Sequence, residues 1–252
     1  MSTYYYDFHI HSCLSPCADD DMTPNNIAGM GTICGLQIMA LTDHNTAKNC
    51  PAFFEAAQRQ GIVPVAGMEL TTAEDIHLVC LFETLDAALA FDREVETKRT
   101  PFPNRPDIFG DQMIMNGEDE VIGIEPDFLP NATRLSLEDA AALCVAHGGV
   151  CYPAHIDRPA NGVISTLGVF PDDPPFGIAE VHEIEKADAL KAQYENLRDV
   201  WLLSGSDAHY LWDIRERYAT MELDDEPYSS ELVRKRLFQK LRESARAMEG
   251  YR

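Results

Sequence analysis

Short apolar, β-branched runs recur along this chain, and most of them carry a histidine or a carboxylate at one end. The runs are "YYYDFHI", "LQIMALTD", "IVPVAGMEL", "IHLVCLF", "GGVCYPAHI", "GIAEVHEI" and "VWLLSGSDAH". Between them lie stretches with helical spacing: "TPNNIAGMGTIC", opened by Thr23 as N-cap with Pro24 in the first turn, then "CPAFFEAAQRQ" and "SLEDAAALCVAHGG". This alternation predicts parallel strands covered on both faces. Polar residues at the carboxyl ends of many strands select an α/β barrel with its site on that rim. An open doubly wound sheet would need a glycine-rich turn after its first strand, where "HSCLSPC" stands instead.

At 252 residues and 45% hydrophobic content, the chain can bury one large core, so one domain is expected over 1–252. One stretch breaks the rhythm. From about 91 to 132 the chain is rich in proline and acid, and "DQMIMNGEDEVIGIE" reads as a β-hairpin turning near Asn116 and Gly117. It is expected as an insertion between barrel units, either a lid over the site or a structural flap. A last helix is expected at about 229–248, with Leu232, Leu237 and Leu241 inward and Arg234, Lys235, Arg236, Lys240, Arg242 and Arg246 in solvent.

The formal net charge is −22, from 20 basic and 42 acidic residues. Affinity for a long polyanion comes from clustered Lys and Arg, so duplex DNA is not expected as a partner. No apolar run approaches the roughly 18 residues of a membrane span, and no basic, apolar leader opens the chain, so neither membrane nor export is expected. Seven cysteines without framework spacing fit a reducing compartment, and the cytoplasm is the expected location. Cys13 and Cys17 form a C-x3-C beside the first histidines, which reads as loop packing because no second pair closes a tetrahedral site.

The histidines carry the chemistry. In a strand, His9 and His11 share a face with Asp7 and stand about 7 Å apart. Acid and imidazole then recur together: Asp43 and His44 in "ALTDHNT", Glu69 in "GMELTT", His77 in "IHLVCLF", His155 in "YPAHIDRP", and Asp207 and His209 in "GSDAHY". Six of the eight histidines belong to this set. Imidazoles beside carboxylates on different strands are a recurring way to hold metal ions, because each ring offers one neutral nitrogen while its other N–H is held by an acceptor.

The ordered set "DFHIHS", "LTDHNT", "GMEL" with "IHLVCLF", "AHIDRP" and "GSDAH" resembles the PHP family, named for polymerase and histidinol phosphatase, and within it the small bacterial phosphoesterases. The resemblance implies a distorted (β/α)7 TIM-like barrel, three divalent metal ions and cleavage of phosphate esters. It implies that His9, His11, Glu69 and Asp207 hold one metal, that Glu69 shares a second with His77 and His155, and that His44, His209 and an aspartate hold the third. The family usually has that aspartate five residues after the second histidine, where this chain has Pro16. Alignment on Thr23 and Pro24 moves the position to Asp19, with Asp20 and Cys17 as rivals.

Mixed nitrogen and carboxylate ligation suits Zn, Mn or Fe. Such a site stays net positive, attracts phosphate and can supply a metal-bound hydroxide as nucleophile. Asp207 is expected to orient that nucleophile, and Asp43 to buttress a ligand or aid proton transfer. Arg158 is a candidate fork for the substrate phosphate, with Arg134 and Arg105 as weaker ones. His182 reads as structural, and His147 as a helix-end residue without a catalytic part. The expected substrate is a small phosphate ester: a phosphomonoester, a nucleotide or a nucleoside bisphosphate. The alternatives are an exonuclease on RNA or oligonucleotide ends, supported only by the basic last helix, an amidohydrolase, and a non-catalytic metal-binding module.

Overall fold

The apolar runs do form the strands, but not all in one direction. In the computed structural model, which describes residues 1–226 and 228–245, the strands open with β1 (Ser2–Asp7), β2 (Ile38–Leu41), β3 (Val63–Thr71), β4 (His77–Phe82) and, after the insertion hairpin β5 (Met113–Met115) and β6 (Val121–Ile124), β7 (Val150–Pro153). They continue as β8 (Ile178–Val181), β9 (Trp201–Ser204) and β10 (Ala219–Leu223). The main sheet runs β10-β1-β2-β3-β4-β7, and β8 pairs with β9 separately.

β1, β2 and β3 are parallel neighbours, whereas β4 is antiparallel to both β3 and β7. The reversal corrects the all-parallel expectation, and its cause is local. Thr71 and His77 pair directly across a turn closed by Thr72 N–H donating to the Ile76 carbonyl at 2.9 Å. So short a link allows a hairpin but no crossover. β10, absent from the expectation, pairs antiparallel with β1. The result is a curled half-barrel with β8 and β9 beside it, rather than seven equivalent β/α units. Ile156 N–H reaches the Glu180 carbonyl at 2.9 Å, and His11 N–H reaches the Ala208 carbonyl at 3.0 Å, drawing these pieces together at one rim.

Helices cover the sheet: α1 (Pro24–Ile33), α2 (Cys50–Arg59), α3 (Leu85–Lys98) and α5 (Leu137–Ala146), with short α4 (Pro106–Phe109), α6 (Val163–Leu167) and α7 (Ala187–Gln193). Thr23 caps α1 by accepting from Asn26 N–H, as its sequence position implies. The stretch from 91 opens inside α3, whose Phe91 and Val95 are fully buried, so the irregular segment starts only beyond Lys98. Its hairpin pairs Met113 with Ile124 and turns where Asn116 N–H donates to the Glu120 carbonyl.

The last helix, α8 (Ser230–Ser244), buries Val233, Leu237, Phe238 and Leu241, and leaves Leu232 half-exposed. Positions 246–248 of the expected helix, with Arg246, lie outside the described residues. Arg234 donates to the carbonyls of Glu83 and Pro64. Pro64 sits at the start of β3, five residues and so about 16 Å from Glu69. The basic helix therefore packs at the opposite end of the strands from the histidines, and the oligonucleotide-end reading loses its one support. Among the described residues no helix is long and apolar enough to cross a membrane.

Candidate metal centre

Beyond the last paired residue of β1 the chain stays extended, and His9 and His11 fall on the same side, both fully buried. Each ring has its Nδ1 engaged. His9 Nδ1 lies 2.8 Å from Glu180 Oε1. His11 Nδ1 lies 3.1 Å from Ser15 Oγ, whose own proton goes to Asp43 Oδ1 at 2.7 Å. Both Nδ1 atoms therefore donate, and both Nε2 atoms are left with free lone pairs.

Those Nε2 atoms stand 3.3 Å apart and face two carboxylates. His9 Nε2 is 3.1 Å from Glu69 and 3.4 Å from Asp207; His11 Nε2 is 3.2 Å from each. The reversed β4 starts at His77 and so returns that ring to the same rim, where its Nδ1 is 2.8 Å from Glu69 Oε1. His155 Nε2 reaches the same oxygen at 3.1 Å, and His44 Nδ1 lies 3.0 Å from Glu69 Oε2. Glu69 thus lies at the centre of the cluster. His155 and Asp207 hold left-handed backbone conformations, with φ of 30° and 53°, a strain that tends to collect at functional sites.

This arrangement fits divalent cations. Lone pairs facing lone pairs in a buried cluster are repulsive unless protons or a cation lie between them. Three sets of donor atoms each fall within 4.8 Å of one another: His9, His11, Glu69 and Asp207; His44, Glu69 and His77; and His11, His44 and His209. Glu69 Oε2, Asp207 Oδ1 and His44 Nδ1 are buried without a hydrogen-bond partner.

The charges follow the same logic. Burial opposes ionisation of Glu69, but His77, His9 and His44 outweigh it and hold its carboxyl well below the usual range. Burial is likewise overcome at Asp207 by His9 and His11, so its pKa is lowered. Burial disfavours the charged form of His9, yet Glu180, Glu69 and Asp207 raise its pKa well above the ordinary imidazole value. At Cys17, burial is outweighed by His44 and His209, which bring the thiol down to about 5.

A cavity of about 390 Å³ opens onto the cluster. His44, Glu69, His77, His155, Asp207 and His209 reach it, together with Arg158, and Phe109 and Phe128 form an aromatic wall from the insertion. Arg158 donates through Nη1 to Asp207 Oδ2, and its Nη2 stacks into reach of His182 at 3.1 Å.

Asp43 and Asp19 do not line the cavity. Asp43 is buried outside the cavity and accepts from Ser12 N–H, Ser12 Oγ and Ser15 Oγ, each at 2.7 Å. It accepts from the Ser15 hydroxyl, which in turn lies 3.1 Å from His11 Nδ1. Asp19 is turned away: its Oδ1 accepts Asp21 N–H at 2.9 Å, while its own N–H donates to the His209 carbonyl. Cys17, not Asp19 or Asp20, lines the cavity.

Arg134 donates to the Thr97 carbonyl and Arg105 pairs with Asp107 in solvent, both away from the cluster. His147 ends α5 near Glu94. His182 sits between Arg158 and Arg215 and does not itself line the cavity. Sequence reading missed Glu180 as the partner of His9, although "GIAEVHEI" already placed a carboxylate within an apolar run, where a buried acid needs a partner.

The PHP domain family model matches residues 7–128. No curated protein matches the chain in sequence. Among solved structures, endonuclease Q from Pyrococcus furiosus, a lesion-specific endonuclease, superposes with a TM-score of 0.60 at 20% identity over 93% of this chain. This chain spans 55% of that one. An amidohydrolase from Chromobacterium violaceum, with bound sulfate and no metal, gives 0.57 at 17% identity, covering 95% of this chain and 96% of that one.

The exclusion of duplex DNA is overturned. An endonuclease Q complex with a 27-mer duplex substrate, an abasic lesion at its active site, shares the fold with a TM-score of 0.59 at 20% identity, over 93% of this chain and 56% of that one. Net charge is a sum over the whole surface, whereas a lesion is gripped locally, so −22 does not decide which phosphates reach the site.

Proposed function

Residues 7–128 carry a PHP domain, and from that premise we propose that this protein is a metal-dependent phosphoesterase acting on a small phosphate ester. In this reading His9, His11, Glu69 and Asp207 would hold one divalent cation, Glu69, His77 and His155 a second, and His44 and His209 a third. Zn, Mn and Fe all suit these donors. The cations supply Lewis acidity to a phosphoryl oxygen and a nucleophile at neutral pH.

The chain's own groups do the rest. Glu180 and the Asp43–Ser15 pair keep the Nε2 lone pairs of His9 and His11 aimed inward. Asp207 orients the attacking group. Arg158, already hydrogen-bonded to Asp207, forks onto a non-bridging phosphate oxygen. Phe109 and Phe128 exclude water on the leaving-group side and offer rings to a flat or apolar substituent. Seven unpaired cysteines fit a cytoplasmic protein.

The observation that carries this reading is the convergence of donors from His9, His11, Glu69 and Asp207 within 4.8 Å of one another, with Glu69 and Asp207 lining a cavity that also holds Arg158. The test is elemental analysis of the purified protein with a phosphate-release screen under added Mn, Zn or Fe. The panel spans sugar phosphates, mononucleotides, nucleoside bisphosphates, short RNA and a duplex with an abasic site. Bound metal with turnover of a small ester supports the proposal. Turnover confined to RNA or duplex replaces the substrate class, and an absence of bound metal removes the reading altogether.

A further inference from the structure

We infer that Cys17 is a metal ligand, completing with His44 and His209, beside His11, the third cation position of the proposed centre. This rests on the metal-dependent reading above and goes beyond it by putting a thiolate in a site where the family resemblance implies a carboxylate.

The local sequence explains why the thiol is there. Ala18 N–H donates to the Ser15 carbonyl at 2.9 Å, so Ser15, Pro16, Cys17 and Ala18 form a β-turn with proline in its preferred second position and Cys17 third. Ser15 is itself anchored, since its hydroxyl donates to Asp43 and accepts the His44 backbone N–H at 3.2 Å. The turn therefore presents Cys17 to the cavity from a base tied to the same residues that orient His11 and His44. Cys17 is exposed within that cavity, and the other six cysteines are buried.

Two further observations point to a ligand. The imidazole donors of His11, His44 and His209 fall within 4.8 Å of one another. His44, only 5% exposed, lines the cavity beside Cys17 and His209, its Nδ1 facing Glu69 Oε2 at 3.0 Å with no hydrogen bond assigned to it. A cation among these rings wants a further donor, and tetrahedral sites of imidazole and thiolate are well suited to Zn2+. Asp19 does not supply it, because its carboxylate closes a turn onto Asp21 and its backbone is tied to His209. On binding, Cys17 coordinates as the thiolate, and the proton displaced from the Cys17–histidine cluster leaves to water. A thiolate shifts preference at this position toward Zn2+, Fe2+ or Co2+ and away from Mn2+.

The test is Co2+ titration of the full-length, chelator-stripped protein, with bound cobalt measured by elemental analysis and thiolate coordination by its near-ultraviolet charge-transfer band. Wild type and Asp19→Asn should develop the band. Cys17→Ser should lose the band and one equivalent of cobalt, and Cys17→Asp should keep that equivalent without the band. Cobalt bound to wild type without a thiolate band, or a band surviving in Cys17→Ser, overturns the inference and leaves the metal-dependent reading standing. Failure of wild type to bind any cobalt overturns both.

Discussion

Glu180 Oε1 lies 2.8 Å from Nδ1 of His9, with both side chains almost fully buried. The same oxygen also accepts His155 N–H at 3.2 Å, so one carboxylate on β8 ties together the segments that follow β1 and β7. It fixes which nitrogen of His9 carries the proton and so which one is free to bind.

Replacement of Glu180 by alanine should therefore lower metal affinity roughly 10–100-fold, the usual effect of losing a ligand's orienting partner. Isothermal titration with Zn2+ or Mn2+ measures it. Glu180→Gln should lose less, because the amide oxygen still accepts from Nδ1. Equal affinity in all three proteins would remove the orienting role.

Asp43 should prove structural before it proves catalytic. Its carboxylate accepts three hydrogen bonds from Ser12 and Ser15, and it is 1% exposed. Asp43→Ala leaves those donors buried and unpaired, so urea unfolding should show a loss of at least about 2 kcal/mol. A variant with wild-type stability and lost turnover would instead return Asp43 to proton transfer.

His182 should titrate below the ordinary imidazole pKa. Burial, then Arg158 and Arg215, disfavour its charged form. Because the folded pKa lies below the unfolded 6.5, the unfolded chain takes up this proton first as pH falls. The His182 contribution to stability is thus constant above pH 6.5 and declines as pH drops from there through the folded pKa. Ring proton shifts followed by NMR give the value directly. Arg215→Gln should raise it, and an unchanged midpoint would show that Arg215 does not act on the ring.

Asn49 should anchor the insertion hairpin. Its side chain donates to the Met113 carbonyl at 3.0 Å, accepts Met115 N–H at 2.8 Å and donates to Ser12 Oγ at 2.9 Å, all while fully buried. Asn49→Ala should cost about 1–3 kcal/mol for the groups left unsatisfied. Hydrogen exchange should speed up at Met115 in particular. Protection unchanged there would mean the hairpin is held by other contacts.

Local pattern marked most of the strands, the cap of α1 and the histidines and carboxylates that cluster at one rim. Alternation puts His9 and His11 on one face, Thr23 and Pro24 open α1, and the motifs around His44, Glu69, His77, His155, Asp207 and His209 could be named without coordinates, because period and spacing are properties of neighbouring residues. Tertiary structure decided what depends on residues far apart in the chain. The direction of β4 is a borderline case, since the short link from Thr71 to His77 already forbade a crossover. The pairing of Glu180 with His9 joins residues 171 apart, and no periodicity encodes it. Likewise, Asp19 and Cys17 look interchangeable in a polar loop. Only the β-turn at Pro16, held against Asp43 and the His44 backbone, sends the thiol into the cavity and the carboxylate away from it.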